Sequence, residues 1–134
     1  MKLRIDGTPT TKKNSMRIVL VGGKPRIIQS EKYKAYEAYA LCQLRKATAR
    51  ENRTVRLPID YPVNVKCVYY MPTNRRVDLT NLLAATMDIL VDAHILADDN
   101  AKIVVGHDGS RVMYKADKPR TEIEIKEELR NDTE

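Results

Sequence analysis

Apolar and polar positions alternate near both ends of this chain and switch to helical spacing in two stretches between them. Residues 2–6 (KLRID) alternate and predict a short strand. Residues 17–21 (RIVLV) and 25–29 (PRIIQ), joined through Gly22-Gly23-Lys24, predict a β-hairpin. Ser30 is a good N-cap and Glu31 suits the positive end of a helix dipole. Tyr33, Tyr36, Ala40, Leu44 and Ala47 then recur at three- and four-residue steps, which predicts an amphipathic helix over 31–49. Residues 50–61 have no period and predict a loop. Residues 62–71 alternate again, with Val63, Val65, Cys67 and Tyr69 on one face, and predict the central strand.

A second helix is predicted from Leu79 to Val91, and it is apolar nearly all round. Such a helix is buried on more than one face. One face covers the sheet; the expectation is that another, around Ala84, Met87 and Val91, meets a second subunit, giving a two-fold homodimer. Beyond it, residues 101–105 and 111–114 are strand-like on either side of an Asp108-Gly109 turn, residues 119–126 form a last strand, and residues 127–134 fray. The order β-ββ-α-β-α-β-β predicts an α+β fold: a single domain over residues 1–134, with a mixed sheet packed against two main helices.

Composition narrows the function classes. The 134 residues carry a net charge of +6, which favours an anionic partner such as nucleic acid. Trp and Phe are absent, so seven Tyr supply the aromatic surface. Cys42 and Cys67 lack metal-type spacing and sit in apolar company, which predicts buried free thiols in a reducing cytoplasm. No run is long and apolar enough for a membrane span, and no apolar segment follows the basic N-terminus as in a signal peptide.

The chemistry concentrates in residues 75–100, RRVDLTNLLAATMDILVDAHILADDN. Asp78 stands at the predicted strand-to-helix junction, where it could cap the helix or project into a site at the sheet's edge. Asp98 and Asp99 follow the helix. Adjacent carboxylates repel, a divalent cation relieves the repulsion, and hard oxygen ligands suit Mg²⁺ or Mn²⁺. A 13-residue helix is about 20 Å long. The roughly ten-residue segment after it can extend about 33 Å, enough to return Asp99 to the helix start. The basic residues Lys12, Lys13, Lys24, Arg26, Arg75, Arg76, Lys102 and Arg111, with Asn14, occupy loops and edges around this stretch and are candidate phosphate contacts.

These motifs resemble the RusA-type Holliday junction resolvases of phages and prophages. The resemblance rests on Arg75-Arg76-Val77-Asp78-Leu79-Thr80-Asn81-Leu82-Leu83, on Asp88-Ile89-Leu90 and on Ala97-Asp98-Asp99-Asn100-Ala101-Lys102-Ile103-Val104. Thr11-Lys12-Lys13-Asn14-Ser15 and Tyr33-Lys34-Ala35-Tyr36 add to it, so that it runs over roughly residues 3–126. It implies a homodimeric endodeoxyribonuclease of DNA recombination and repair. Such an enzyme cuts four-way junctions by phosphodiester hydrolysis with Mg²⁺, or Mn²⁺ in its place, held by three aspartates. The first metal aspartate falls on Asp78 and the last on Asp99.

The chain departs from the family pattern at two positions. The second metal aspartate falls on Thr80, and the catalytic lysine falls on Ala84. Asp98, ranked ahead of Asp88, is the candidate third carboxylate, which makes Asp78, Asp98 and Asp99 the expected catalytic and metal-binding set. Lys12, Lys13 or Lys102 is the candidate cation. The alternative is an impaired relative that binds junction DNA without cutting it. His107, in a turn, is expected to be incidental.

Overall fold

The strand that the alternation marks as central is the one to which most of the sheet is attached. The computed structural model describes residues 1–12, 16–29, 31–50 and 55–128. Expectations for Lys13, Asn14, Ser30 and the tail from 129 lie outside the described residues. β4 (Val63–Tyr70) pairs antiparallel with β7 (Arg120–Glu127), which pairs antiparallel with β1 (Lys2–Asp6). Along its other side run two short parallel strands, β5 (Val104–Gly106) and β6 (Arg111–Met113). Cross-strand register places Leu3, Ile123 and Cys67 in one row and Ile5, Thr121 and Tyr69 in the next, all buried. Helices α1 (Glu31–Arg50) and α2 (Leu79–Asp92) complete an α+β domain whose sheet is mixed.

The other face of the sheet is a charge ladder. Lys2, Glu124 and Lys66 share a row, as do Arg4, Glu122 and Val68, while the Arg120 guanidinium lies 3.8 Å from the centroid of the Tyr70 ring. The sheet is therefore apolar toward the helices and polar away from them, which the period-two alternation requires.

Local chemistry adjusts the predicted boundaries. Residues 101–103 form a turn, not a strand, because the Asn100 side chain accepts from the Lys102 N–H and the Asn100 carbonyl accepts from the N–H groups of Ile103 and Val104. The Asp108-Gly109 turn does not reverse the chain: β5 and β6 both run parallel to β4 and form one interrupted edge. Asn64 holds the interruption by accepting from the Asp108 N–H at 2.8 Å, and the Ser110 hydroxyl accepts from the Cys67 N–H at 3.0 Å. The last strand continues through Glu127, and the Glu128 N–H donates to Pro62 O.

Helix α1 buries Tyr33, Ala40 and Leu44, as its spacing predicts, but Cys42 is exposed because it lies off that stripe. In α2, Leu82, Ala85, Met87, Ile89 and Leu90 are buried within the chain itself. Met87, expected at a subunit interface, is only 4% exposed and belongs to the chain's own core. A buried hydrogen bond of 2.7 Å between the Tyr69 and Thr86 hydroxyls sets the depth of α2 on the sheet. The Thr86 hydroxyl also donates to Leu82 O at 2.8 Å, so Tyr69 donates to Thr86, and deleting the Thr86 hydroxyl would cost about 1–3 kcal/mol.

Candidate active site and nucleic-acid interface

Asp78 is the N-cap of α2. Its Oδ1 accepts from the Thr80 N–H at 3.3 Å and from the Thr80 hydroxyl at 2.9 Å, and its Oδ2 accepts from Asn81 Nδ2 at 3.4 Å. Three donors thus fill most of the roughly four lone-pair directions of a carboxylate. Thr80 orients the aspartate before it and leaves it exposed. Arg75 and Arg76 precede this cap in an exposed segment.

A second cluster gathers at the other end of α2. Asp88, Val91 and Asp92 of the helix, Asp98 and Asp99 after it, and Lys12 line a cleft of about 340 Å³. Lys12 Nζ lies 2.9 Å from Asp88 Oδ2 and 5.8 Å from the centroid of the Tyr33 ring. The hydrogen bond to Asp88 raises the Lys12 ammonium above its ordinary pKa; burial opposes this, and the charges of Asp88, Glu37 and Asp92 add to it. Asp98 accepts from the Asp99 N–H at 2.7 Å and from Asn100 Nδ2 at 3.1 Å, and these bonds hold its carboxyl below the usual carboxylate range. Four carboxylates therefore face one ammonium, an arrangement that attracts a further cation.

The chain does not bring its two acidic ends together. Ten residues separate Asp78 from Asp88, about 15 Å along a helix. The segment after α2 is long enough to return to the helix start but is pinned to its end. The Ile95 and Leu96 N–H groups both donate to Leu90 O and the His94 N–H to Val91 O, with His94 at φ 59. This is a Schellman-type stop without the usual glycine. Ile95 and Leu96 are buried, and the Ile59 backbone bonds to Ile95 and Ala97, on either side of Leu96. Asp98 and Asp99 consequently remain beside Asp88 and Asp92. Among the described residues no three His, Cys, Asp or Glu side chains converge closely enough to hold a metal ion.

The family model for the endodeoxyribonuclease RusA matches residues 6–126. The chain belongs to the RusA endodeoxyribonuclease family. No curated protein matches it.

For a RusA family member, the placement of the other candidate residues divides the basic set. Lys102 is exposed in the turn that follows Asp98 and Asp99. Lys24 and Arg26 are exposed on the hairpin formed by β2 (Met16–Val21) and β3 (Lys24–Gln29). Arg111 pairs in register with Val68, a position on the sheet face that turns away from the helices, so it does not join the others. Ala84 is exposed midway along α2. His107 Nδ1 is 2.9 Å from Val65 O, a structural tie. Asp92, absent from the expected set, lies on the same helix face as Asp88 by its i+4 spacing, which the sequence alone carries. No described helix is long and apolar enough to cross a membrane.

Proposed function

We propose that this chain is a structure-selective endodeoxyribonuclease that resolves four-way DNA junctions as a homodimer, using Mg²⁺ or Mn²⁺. The observation that carries the reading is the family match over residues 6–126. The acidic cleft beside Lys12 supports it, because all four acids are hard oxygen donors of the kind these cations take. Bound there, the cation would act as a Lewis acid on the phosphodiester and lower the pKa of a coordinated water. Asp99 and Asp98 are the proposed ligands from this end of α2, with Asp88 and Asp92 beside them. Lys12 balances charge, and Arg75, Arg76 and Lys102 contact backbone phosphates.

The separation of Asp78 from Asp99 supports the dimer. Val77, Asn81, Ala84, Asp88 and Val91 stand at alternating four- and three-residue steps, and all are exposed or half-buried. A two-fold axis through Ala84 would pair α2 with an antiparallel copy. It would set Val77 against the partner's Val91 and bring Asp78 level with the partner's Asp88–Asp92 turn. Ala84, with its small side chain, permits close approach at the crossing. Each site would then take Asp78 from one protomer and Asp98 and Asp99 from the other.

A second reading, junction binding without cleavage, is favoured by the engagement of Asp78 in capping bonds and by Thr80 and Ala84. A synthetic four-way junction incubated with Mg²⁺ or Mn²⁺ decides between them. Paired symmetric nicks, lost in Asp78→Asn and Asp99→Asn with binding retained, support the nuclease. Binding without nicks under either cation supports the second reading.

A further inference from the structure

The β2–β3 hairpin has no place in the fold described so far. It is a two-stranded sheet of its own, and none of its described side chains joins the core. An isolated hairpin in water is marginal. Yet this one exposes large apolar side chains: Ile18 is 72%, Leu20 74% and Val21 51% exposed. Its tip, Gly22-Gly23, has φ of 59° and 80°, both in the left-handed region that a tight two-residue hairpin turn needs.

The two faces of the ribbon differ. Ile18 and Leu20 share one face, with Pro25 opposite Leu20 in register. On the other face Val19 is opposite Arg26 and Val21 opposite Lys24, so each cation stands beside an aliphatic residue. The surrounding sequence is one-signed: residues 7–30 contain five Lys or Arg (Lys12, Lys13, Arg17, Lys24 and Arg26) and no Asp or Glu. The described exposed charges of the hairpin, Lys24 and Arg26, are both positive, and in a chain of net charge +6 such a ribbon is complementary to a polyanion and repels a second copy of itself at the same patch.

We infer that this hairpin is a DNA-engaging wedge. Lys24 and Arg26 sit on the phosphates, while Ile18 and Leu20 pack against bases that are unstacked where duplex arms meet. Aliphatic side chains entering between base steps stabilise bent or opened DNA, and a continuous duplex offers no such opening without the cost of unstacking. The wedge therefore supplies preference for branched over linear DNA, and the cations supply affinity for both. The inference rests on the junction-directed reading above and specifies how the branch is distinguished.

The experiment uses the full-length protein and a four-way junction with 2-aminopurine at the exchange point. Wild type should raise the fluorescence on binding. Ile18→Ser/Leu20→Ser should abolish the rise and lower the preference for junction over duplex roughly tenfold, a change of about 1.4 kcal/mol. Both residues are exposed, so the fold, checked by thermal melting, should persist. Lys24→Gln/Arg26→Gln should instead weaken binding to junction and duplex alike and reduce the log–log salt slope by roughly 2. A full fluorescence rise in the Ile18/Leu20 variant overturns the wedge, as does a fall from dimer to monomer, which would assign the apolar face to a second copy. A wild-type protein with no affinity for branched DNA overturns the junction reading, and the wedge with it.

Discussion

Lys12 and Asp88, 76 positions apart in the chain, meet at 2.9 Å in the cleft that also holds Asp98 and Asp99. The pair is partly open to solvent, so it contributes no more than about 1 kcal/mol to stability. Its weight lies in the electrostatics of the cleft. Lys12→Met should leave the melting temperature nearly unchanged and remove the one cation that lines the cleft among the described residues. The prediction has two signs. Mn²⁺ should bind more tightly, because an ammonium no longer competes, and nicking should slow at least about tenfold, because a cation near the phosphate is lost. Isothermal titration with Mn²⁺ and a nicking assay read the two effects separately; an unchanged nicking rate would reduce Lys12 to a surface ion pair.

The shared-site dimer makes a mixing prediction. Asp78→Asn and Asp99→Asn should each be inactive alone. In a heterodimer of the two, one site combines Asp78 of the Asp99→Asn protomer with Asp99 of the Asp78→Asn protomer, and is intact. Equal mixing with free exchange should restore about a quarter of wild-type nicking. Sites confined to one chain would give no recovery. Asn also caps helices well, so neither variant should lose stability through the cap.

Thr80→Asp restores the carboxylate that the family pattern expects. It also removes the hydroxyl that donates to Asp78 and places a second negative charge beside it. Without metal the variant should be less stable than wild type, by about 1 kcal/mol. In Mn²⁺ the order should reverse, since a cation binding only the folded state stabilises by mass action. Melting curves with and without Mn²⁺ test this; the same deficit in both conditions would argue against a metal at this end of α2.

Alkaline stability should report on Cys67. Burial pushes its thiol up to about 12 from an ordinary value of 9.0. Between those values the folded chain keeps a proton that the unfolded chain releases, so stability falls as pH rises through the window, by up to about 1.4 kcal/mol per unit. Below pH 9 this group contributes no slope. Cys67→Ala should be less stable at pH 8 through the small cavity it leaves, and its deficit should shrink by pH 10. Lys12 and Tyr33 shift in the same direction and are common to both proteins, whereas burial raises Tyr36 and Tyr69 with a contribution from Cys67, so the comparison reads the thiol together with its effect on these two neighbours. A deficit constant from pH 8 to 10 would count against a buried protonated thiol.

The helices and strands that bury one face were legible because their periods are long and regular. The α1 stripe of Tyr33, Ala40 and Leu44 and the β4 row of Val63, Val65, Cys67 and Tyr69 fall where the pattern places them. Short edge strands were less legible. Asn100 and Asn64 set the limits of β5 and the break before β6 by side-chain bonds that carry no period. At the candidate site, the acidic identity of Asp78, Asp98 and Asp99 could be read, but not their separation. Chain reach permitted a return to the helix start, whereas burial of Ile95 and Leu96 and a left-handed His94 stop the segment at the helix end. Because that stop lacks glycine, nothing in the local composition announced it. Met87 is a similar case: the apolar run of α2 predicted burial on more than one face but did not say that Met87 belongs to the chain's own core.

The break between β5 and β6 also bears on solubility. An uninterrupted parallel edge beside β4 would offer neighbouring molecules a row of free backbone groups, the template on which sheets extend into aggregates. The excursion through His107 and Asp108 turns the Asp108 N–H and carbonyl inward to the Asn64 side chain and leaves two three-residue strands too short to recruit another. This edge of the sheet is thereby a poor template for a strand from a neighbouring molecule.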